Sequence, residues 1–265
     1  MSAGEPPTLP SQGVIEFWYG CAERWSARML PRIMVSYNAI RRWKKPWDAQ
    51  VRTMEDSGAF QVIAQHGRYP WGPKEYAKNL EMWKPEVAWT MDYPCEPTVR
   101  ARGGYTVREA QVKTNDNTRR LLDLGVSVQS VVQGWEIRDY LENLDLLKSE
   151  GLLTGRLGIG SICRRGKTAE IVHVVRAVHA NVPKSVKLHG FGVKTAILQS
   201  EARFLLHSVD SAAWRIPVFN HYDGVKHRPI SFKAPILAEY VSKHEALLFP
   251  RDPLGISNCT PENMT

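Results

Sequence analysis

The sequence predicts an α/β fold built as a single (β/α)8 TIM barrel, with the active site at the C-terminal ends of the strands. Three observations carry that expectation. Short apolar runs alternate with longer stretches of helical character, the pattern of parallel strands joined by crossover helices. About eight such units fit the chain, as a closed barrel of roughly 250 residues requires. Neither Gly-x-Gly-x-x-Gly nor Gly-x-x-x-x-Gly-Lys-Ser/Thr occurs, so the alternative, an open doubly wound sheet, lacks its usual nucleotide-binding signatures.

Residues 1–12, with prolines among small polar residues, read as a flexible arm. The barrel is assigned to 13–249. Its strands are expected at 33–37, 52–55, 87–91, 128–132, 156–159, 185–188 and 208–209, with 216–219 as the eighth. Helices are expected at 73–83, 107–124, 135–149, 167–179, 195–206 and 234–247. In 107–124, for instance, Val107, Ala110, Val112, Leu121, Leu122 and Leu124 keep a broken but mostly helical spacing. Residues 250–265, with Pro250, Pro253 and Pro261, read as a loose tail.

At 265 residues with no internal linker, the chain suits one domain with a large core. Its 43% hydrophobic and 23% charged residues place it among ordinary globular proteins. No apolar run approaches the ~20 residues of a membrane span, and no signal-peptide core opens the chain. The expected location is therefore cytoplasmic, with no membrane partner. A net charge of +8 favours a polyanionic partner. Cys21, Cys95, Cys163 and Cys259 form no Cys-x-x-Cys pair, which points to reduced thiols rather than a disulfide framework or zinc ribbon.

Polar residues and glycines follow the expected strands. Asp56-Ser57-Gly58 follows the second, Asp92 the third, Gln133-Gly134 the fourth, Gly160-Ser161 the fifth, His189-Gly190 the sixth and Asp210-Ser211 the seventh. In a barrel they converge on one mouth. Carboxylates, a carboxamide and glycines there suit a flat, hydrogen-bonding ligand such as a guanine-like base. Asp92 would accept from its N1–H and 2-amino group, while Gln133 and a backbone N–H near Gly160 would serve O6 or N7. Phe60 would stack on the ring, unless it is a core aromatic. Asp56 and Asp210 suit a sugar carbon, one attacking and the other handling a proton. The plain alternatives are an Asx turn at Asp56, helix caps and surface ion pairs.

The segments Asp56-Ser57-Gly58-Ala59-Phe60-Gln61, Met91-Asp92, Val131-Val132-Gln133-Gly134, Gly158-Ile159-Gly160, Leu188-His189-Gly190-Phe191-Gly192 and Val209-Asp210-Ser211-Ala212-Ala213-Trp214 occur in this order. Together they resemble the tRNA-guanine transglycosylase superfamily over residues 50–220. The resemblance implies a barrel that exchanges guanine in a nucleic acid for a 7-deazaguanine base, such as preQ0, through a covalent intermediate. By motif, Asp210 would be the nucleophile and Asp56 the general acid/base. The base pocket would use Ser57, Phe60, Asp92, Gln133, Gly134, Gly160, His189 and Gly190. Two departures stand out: Gly58-Ala59 replaces the family's Gly-Gly, and His189 replaces a methionine. The family's Cys-x-Cys-x-x-Cys zinc motif has no counterpart, so no metal or other cofactor is expected, although a zinc site from His221, His227 and a cysteine stays open. This compact form is most similar to the DpdA-type DNA-guanine transglycosylases of phages and bacteria.

Three cationic groups are expected around the mouth, where they would contact phosphates. They are Arg41, Arg42, Lys44 and Lys45 with Trp43 and Trp47; Arg164, Arg165 and Lys167; and Lys226 and Arg228 beside His227. A hydrated surface is the plain alternative. A base stacked in duplex DNA must flip to reach such a pocket, and Tyr93 and Trp135 are candidates to fill the gap. The expected partners are DNA, a 7-deazaguanine base and, as an open matter, a helper protein. The competing readings are a tRNA-acting enzyme, a non-catalytic nucleic-acid-binding barrel and a glycoside hydrolase.

Overall fold

The computed structural model describes residues 15–44, 51–216 and 229–248. Eight strands form one parallel sheet: β1 Glu16–Cys21, β2 Arg32–Ser36, β3 Arg52–Asp56, β4 Val87–Ala88, β5 Ser130–Val132, β6 Arg156–Ile159, β7 Lys187–Gly190 and β8 Ser208–Ser211. Their order is β4-β3-β2-β1-β8-β7-β6-β5. The two ends meet through a parallel bridge between Trp89 and Gln129, where the Gln129 N–H donates to Ala88 at 2.8 Å and the Thr90 N–H to Gln129 at 3.0 Å. The sheet thus closes into the expected α/β barrel.

One strand differs from the sequence expectation. The barrel is completed by β1 near the N-terminus, which pairs with both β2 and β8, and not by a strand at 216–219. Ile216 is helical, its N–H donating to Ala213 O, and 217–219 lie outside the described residues. In the run Glu-Phe-Trp-Tyr-Gly-Cys the three aromatics favour a strand, whereas Gly20 weakens the local signal.

Strand alternation sorts the side chains. Phe17 and Tyr19 of β1 join the large cluster that packs beneath the helices, while Trp18 between them points into the barrel. There it meets Met34, Met54, Val87, Trp89 and Val131, with Phe191 packed against them. Two positions beyond Met54 lies Asp56, on the interior side at the strand end. Glu55 points the other way and accepts from Asn79 Nδ2 at 2.6 Å.

The helices largely follow the expected spans: α1 Arg24–Ala27, α2 Tyr37–Ile40, α3 Ala59–His66, α4 Pro73–Trp83, α5 Pro97–Gly103, α6 Val107–Asp123, α7 Ile137–Ser149, α8 Thr168–Asn181 and α9 Ile230–Leu248. Capping boxes start α6 at Thr106 and Glu109 and α7 at Glu136 and Asp139. The helix expected at 195–206 is instead two 3-10 segments, Thr195–Gln199 and Glu201–Phe204, separated at Ser200. The short helices α1, α2, α3 and α5 have too few turns to show a period. The arm 1–12 and tail 250–265 lie outside the described residues.

Closure between β1 and the segment after β8 needs a bare backbone. A Cβ at Gly20 would lie 2.5 Å from Ala212 Cβ and 2.8 Å from its Cα, and Gly20 O accepts from Trp214 Nε1 at 2.8 Å. Gly20→Ala is expected to destabilise the protein by roughly 1–3 kcal/mol through overpacking, measured by chemical denaturation; an unchanged midpoint would contradict this packing.

Candidate active site

A cavity of about 620 Å³ opens beside the C-terminal strand ends, with Asp56, Asp92 and Asp210 in its wall. Phe60, Glu96, Gly160, Ser161, Cys163, Arg164, Phe191 and Lys194 also line it. Of the sequence-derived site residues, Asp56, Phe60, Asp92, Gly160 and Asp210 therefore meet in one chamber. Ser57, Gln133, Gly134, His189 and Gly190 are buried and stand behind its wall.

Asp210 is tethered by one oxygen. Its Oδ1 accepts from the Gly192 N–H at 2.8 Å and lies 3.3 Å from His189 Nε2. Among the described residues, Oδ2 takes no hydrogen bond and faces the cavity side. His189 is 1% exposed, with Nδ1 2.9 Å from the Ser208 hydroxyl. When Ser208 donates to Nδ1, Nε2 carries the proton and donates to Asp210. The ring is further confined by Trp89 at 4.9 Å and Phe191 at 4.7 Å between centroids. His189 thus supports a carboxylate and does not face the ligand space.

Asp56 forms the Asx turn and faces the cavity at once. Its Oδ1 accepts from the Gly58 N–H at 3.0 Å, and Gly58 takes φ +75° immediately before α3. A Cβ there would fall 2.2 Å from Ser36 Oγ, so glycine is required on both counts. Burial, reinforced by the Asp210 and then the Asp92 carboxylates, pushes the Asp56 carboxyl up to about 8, against the lowering effect of Gly58 and Ser36. Asp56 is thus a neutral acid near neutral pH.

Burial also pushes Asp92 up to about 7, with Glu96 adding to the rise and hydrogen bonds from its own backbone, Gln133 and Ser57 opposing it. Gln133 is fully buried; its Nε2 donates to Asp92 Oδ2 at 2.5 Å and its Oε1 accepts from Ser161 Oγ at 2.8 Å. Both ends of the amide are therefore engaged within the protein, which makes Gln133 a support for Asp92. Gly160 differs from expectation too. Its N–H donates to Val132 O at 3.0 Å and its carbonyl accepts from Tyr140 at 2.8 Å, so that N–H is committed to the barrel. The missing side chain is what matters, since a Cβ would lie 2.3 Å from Gln133 Nε2. Ser57 bonds Tyr69 at 2.7 Å, and Tyr69 in turn donates to Asp92 O at 2.7 Å. Gly134 packs against Tyr140, and Gly190 against Val193.

The cations divide. Arg164 is exposed, lines the cavity and stacks 4.6 Å over Phe60. Arg41 sits 5.1 Å over Trp71, and Arg42, Lys44 and Lys167 are exposed. Arg165 is a correction: it is buried, donates to Trp135 O and stacks 4.5 Å over the Trp135 ring. Its charge organises the wall and is not presented to a phosphate. Tyr93 and Trp135 pack around the cluster that contains Cys95, Val99 and Tyr105, and neither lines the cavity. Lys45, Lys226, Arg228 and the zinc candidates His221 and His227 lie outside the described residues. Among the described residues no group of three His, Cys, Asp or Glu is placed to hold a metal ion.

Sequence reasoning missed Glu96, Cys163 and Lys194 as wall residues. Lys194 Nζ donates to the carbonyls of Arg165 and Gly166 at 3.1 and 3.0 Å. Glu96, in Pro-Cys-Glu-Pro, carries no local signal; only the turn from β4 into α5 brings it to the wall.

A barrel that collects four carboxyl groups around an organic-sized cavity, with Asp92 and Asp56 raised to about 7 and about 8, is built for acid–base chemistry on an organic ligand. The chain belongs to the DpdA family, DeoxyPurine in DNA protein A, whose profile matches residues 17–231. It is accordingly a DNA-modification glycosyltransferase. No curated protein matches the chain. No helix among the described residues is long and apolar enough to cross a membrane.

The raised Asp56 carboxyl has a consequence for stability. The unfolded chain ionises this group near 3.8 and the folded protein only near about 8, so stability is lost as pH rises through that window. Asp56→Asn is expected to be more stable than the parent, by roughly 1–3 kcal/mol at about pH 8 after discounting for its partial exposure, and by little at about pH 4. Urea midpoints across that range measure it; a gap independent of pH would refute the shift.

Proposed function

We propose that this protein exchanges guanine in DNA for a 7-deazaguanine base, preQ0 or a derivative, by double displacement through a covalent Asp210–deoxyribose intermediate. The observation that carries the reading is the asymmetry of two carboxyls in one cavity. Asp210 is fixed by Oδ1 and leaves Oδ2 to attack, whereas Asp56 is an acid raised to about 8. Asp210 Oδ2 attacks C1′ as the bond to guanine breaks, and Asp56 protonates the departing base. The Asp56 carboxylate then takes the proton from the incoming base, which attacks C1′ from the face guanine left and releases Asp210. Two inversions preserve the β configuration. One N-glycosidic bond replaces another, so no cofactor is needed.

Asp92, supported by Gln133, reads the donor edge of the base, and Phe60 stacks on it once Arg164 moves from the ring. Arg164 and Lys194 at the mouth meet the phosphates flanking the target. In duplex DNA the target nucleotide flips into the cavity, at a cost of a few kcal/mol offset by these contacts.

The decisive assay is release of labelled guanine from duplex DNA, single-stranded DNA and unmodified tRNA with preQ0 as acceptor. Loss from DNA is expected; loss from tRNA alone would move the activity to RNA. Asp210→Asn should lower exchange by at least about 10³-fold and abolish the covalent adduct on denaturing gels. Asp56→Asn should cost about 10²–10⁴-fold while DNA binding persists. For the parent, guanine release should fall as pH rises through about 8, where Asp56 loses its proton.

DNA affinity should also fall steeply with salt. Arg164→Ala and Lys194→Ala should each reduce the slope of log affinity against log salt by about one. Slopes equal to the parent's would remove both residues from the phosphate contacts.

A further inference from the structure

Ser161 has more acceptors around it than protons to give. Its Oγ lies 2.7 Å from the Cys95 N–H, 2.8 Å from Glu96 Oε2 and 2.8 Å from Gln133 Oε1. The Cys95 amide donates to it, and a hydroxyl carries a single proton. Two further oxygens therefore compete for that proton. The set closes when Glu96 is protonated: Glu96 Oε2–H donates to Ser161, Ser161 donates to Gln133 Oε1, and Gln133 Nε2 donates to Asp92 Oδ2. Every polar atom along this line then has a partner. The line is shielded, since Glu96 is 3% exposed, Ser161 6% and Gln133 0%. Ser161 is also held at φ +55°, a left-handed conformation that strains a non-glycine residue.

We infer that Glu96 is a specificity-determining positioning residue that stores the proton whose removal lets Asp92 face the base as a carboxylate. The inference rests on the transglycosylase reading and deepens it. Asp92 and Glu96 share one proton through Gln133 and Ser161. With the proton on Glu96, Asp92 accepts from the N1–H and 2-amino groups of guanine or a 7-deazaguanine. With the proton on Asp92, the Gln133 amide reverses, Ser161 turns to Glu96, and Asp92 becomes a weaker, neutral acceptor. A base with a donor edge selects the first arrangement.

The surroundings agree. Arg165 and Arg164 lie on the connection from β6 to α8, and Arg100 on α5 bonds the Cys95 carbonyl at 2.9 Å. The other titratable groups facing Glu96 are Asp92, Cys95, the phenols of Tyr105 and Tyr140, and Cys163, whose Sγ lies 3.7 Å from Glu96 Oε1. Burial outweighs the hydrogen bonds from Ser161, the Glu96 backbone and Cys163 and the charge of Arg165, and holds the Glu96 carboxyl above the ordinary range.

Two measurements on the full chain test this. Infrared difference spectra of the parent against Glu96→Gln should lose a protonated carboxylic C=O band near neutral pH, without any ligand. Glu55, whose carboxyl burial also raises, is common to both proteins and cancels in that difference. Calorimetric titration with guanine then reads the coupling. Glu96→Gln keeps a fixed donor toward Ser161, so its dissociation constant should match the parent's at about pH 6 and be about threefold tighter or more at about pH 8.5. In a Ser161→Gly background, which removes the hydroxyl at a φ that glycine prefers, that difference should vanish. Absence of the infrared difference, or parallel pH profiles for parent and Glu96→Gln, overturns the inference while leaving base exchange standing. A clear infrared difference with no guanine binding at any pH overturns the transglycosylase reading and, with it, the role of Glu96.

Discussion

Crowding of carboxyl groups at one barrel mouth is the constraint on which the site depends. Asp56, Asp92, Glu96 and Asp210 all border one cavity, and the nearest buried cation, Arg165, is occupied by Trp135. Like charges in a partly dry chamber cannot all ionise. The structure answers by giving each group a different set of donors. Asp210 receives a backbone N–H and an imidazole, Asp56 one backbone N–H, and Asp92 a carboxamide whose other end leads to Glu96. Chemically identical side chains thereby acquire different environments, which is what the proposed division into nucleophile, acid and hydrogen-bond acceptor rests on.

These assignments need rigid support, which the barrel interior supplies. His189 is held between Trp89 and Phe191 and bonded to Ser208, so that when Ser208 donates to Nδ1 the Nε2 proton is directed at Asp210. The family resemblance implies a methionine at this position, which could not donate. The imidazole is thus a feature of this chain, and through its contacts with Trp89 and Phe191 it ties Asp210 to the same layer of side chains that packs around Trp18 and Met54. Glycines complete the support by absence: Gly160 leaves room for the Gln133 amide, and Gly158 for Phe191.

Much of this was legible in the sequence. Strand β6 and helix α4 fall where apolar spacing and an N-terminal proline put them, because both are local signals. Six short motifs after strands were enough to suggest the family and the carboxylates. Strand β1 was missed although Phe17, Trp18 and Tyr19 favour a strand; the run is short, and its place in the sheet is set by pairing with β2 and with β8, far away in sequence. The 3-10 segments after Lys194 were read as one helix for a similar reason: a local pattern fits both.

The sequence by itself determined the barrel and the residue types at its mouth, because apolar runs, the helical stretches between them and strand-end polarity are properties of neighbouring residues. Only the tertiary structure decided which of those residues face the ligand space. Gln133, His189 and the Gly160 N–H turned out to be committed to the protein, Arg165 to be interior, and Glu96 and Lys194 to be part of the wall. Orientation and proton sharing depend on contacts between segments dozens of residues apart, and no local spacing records them.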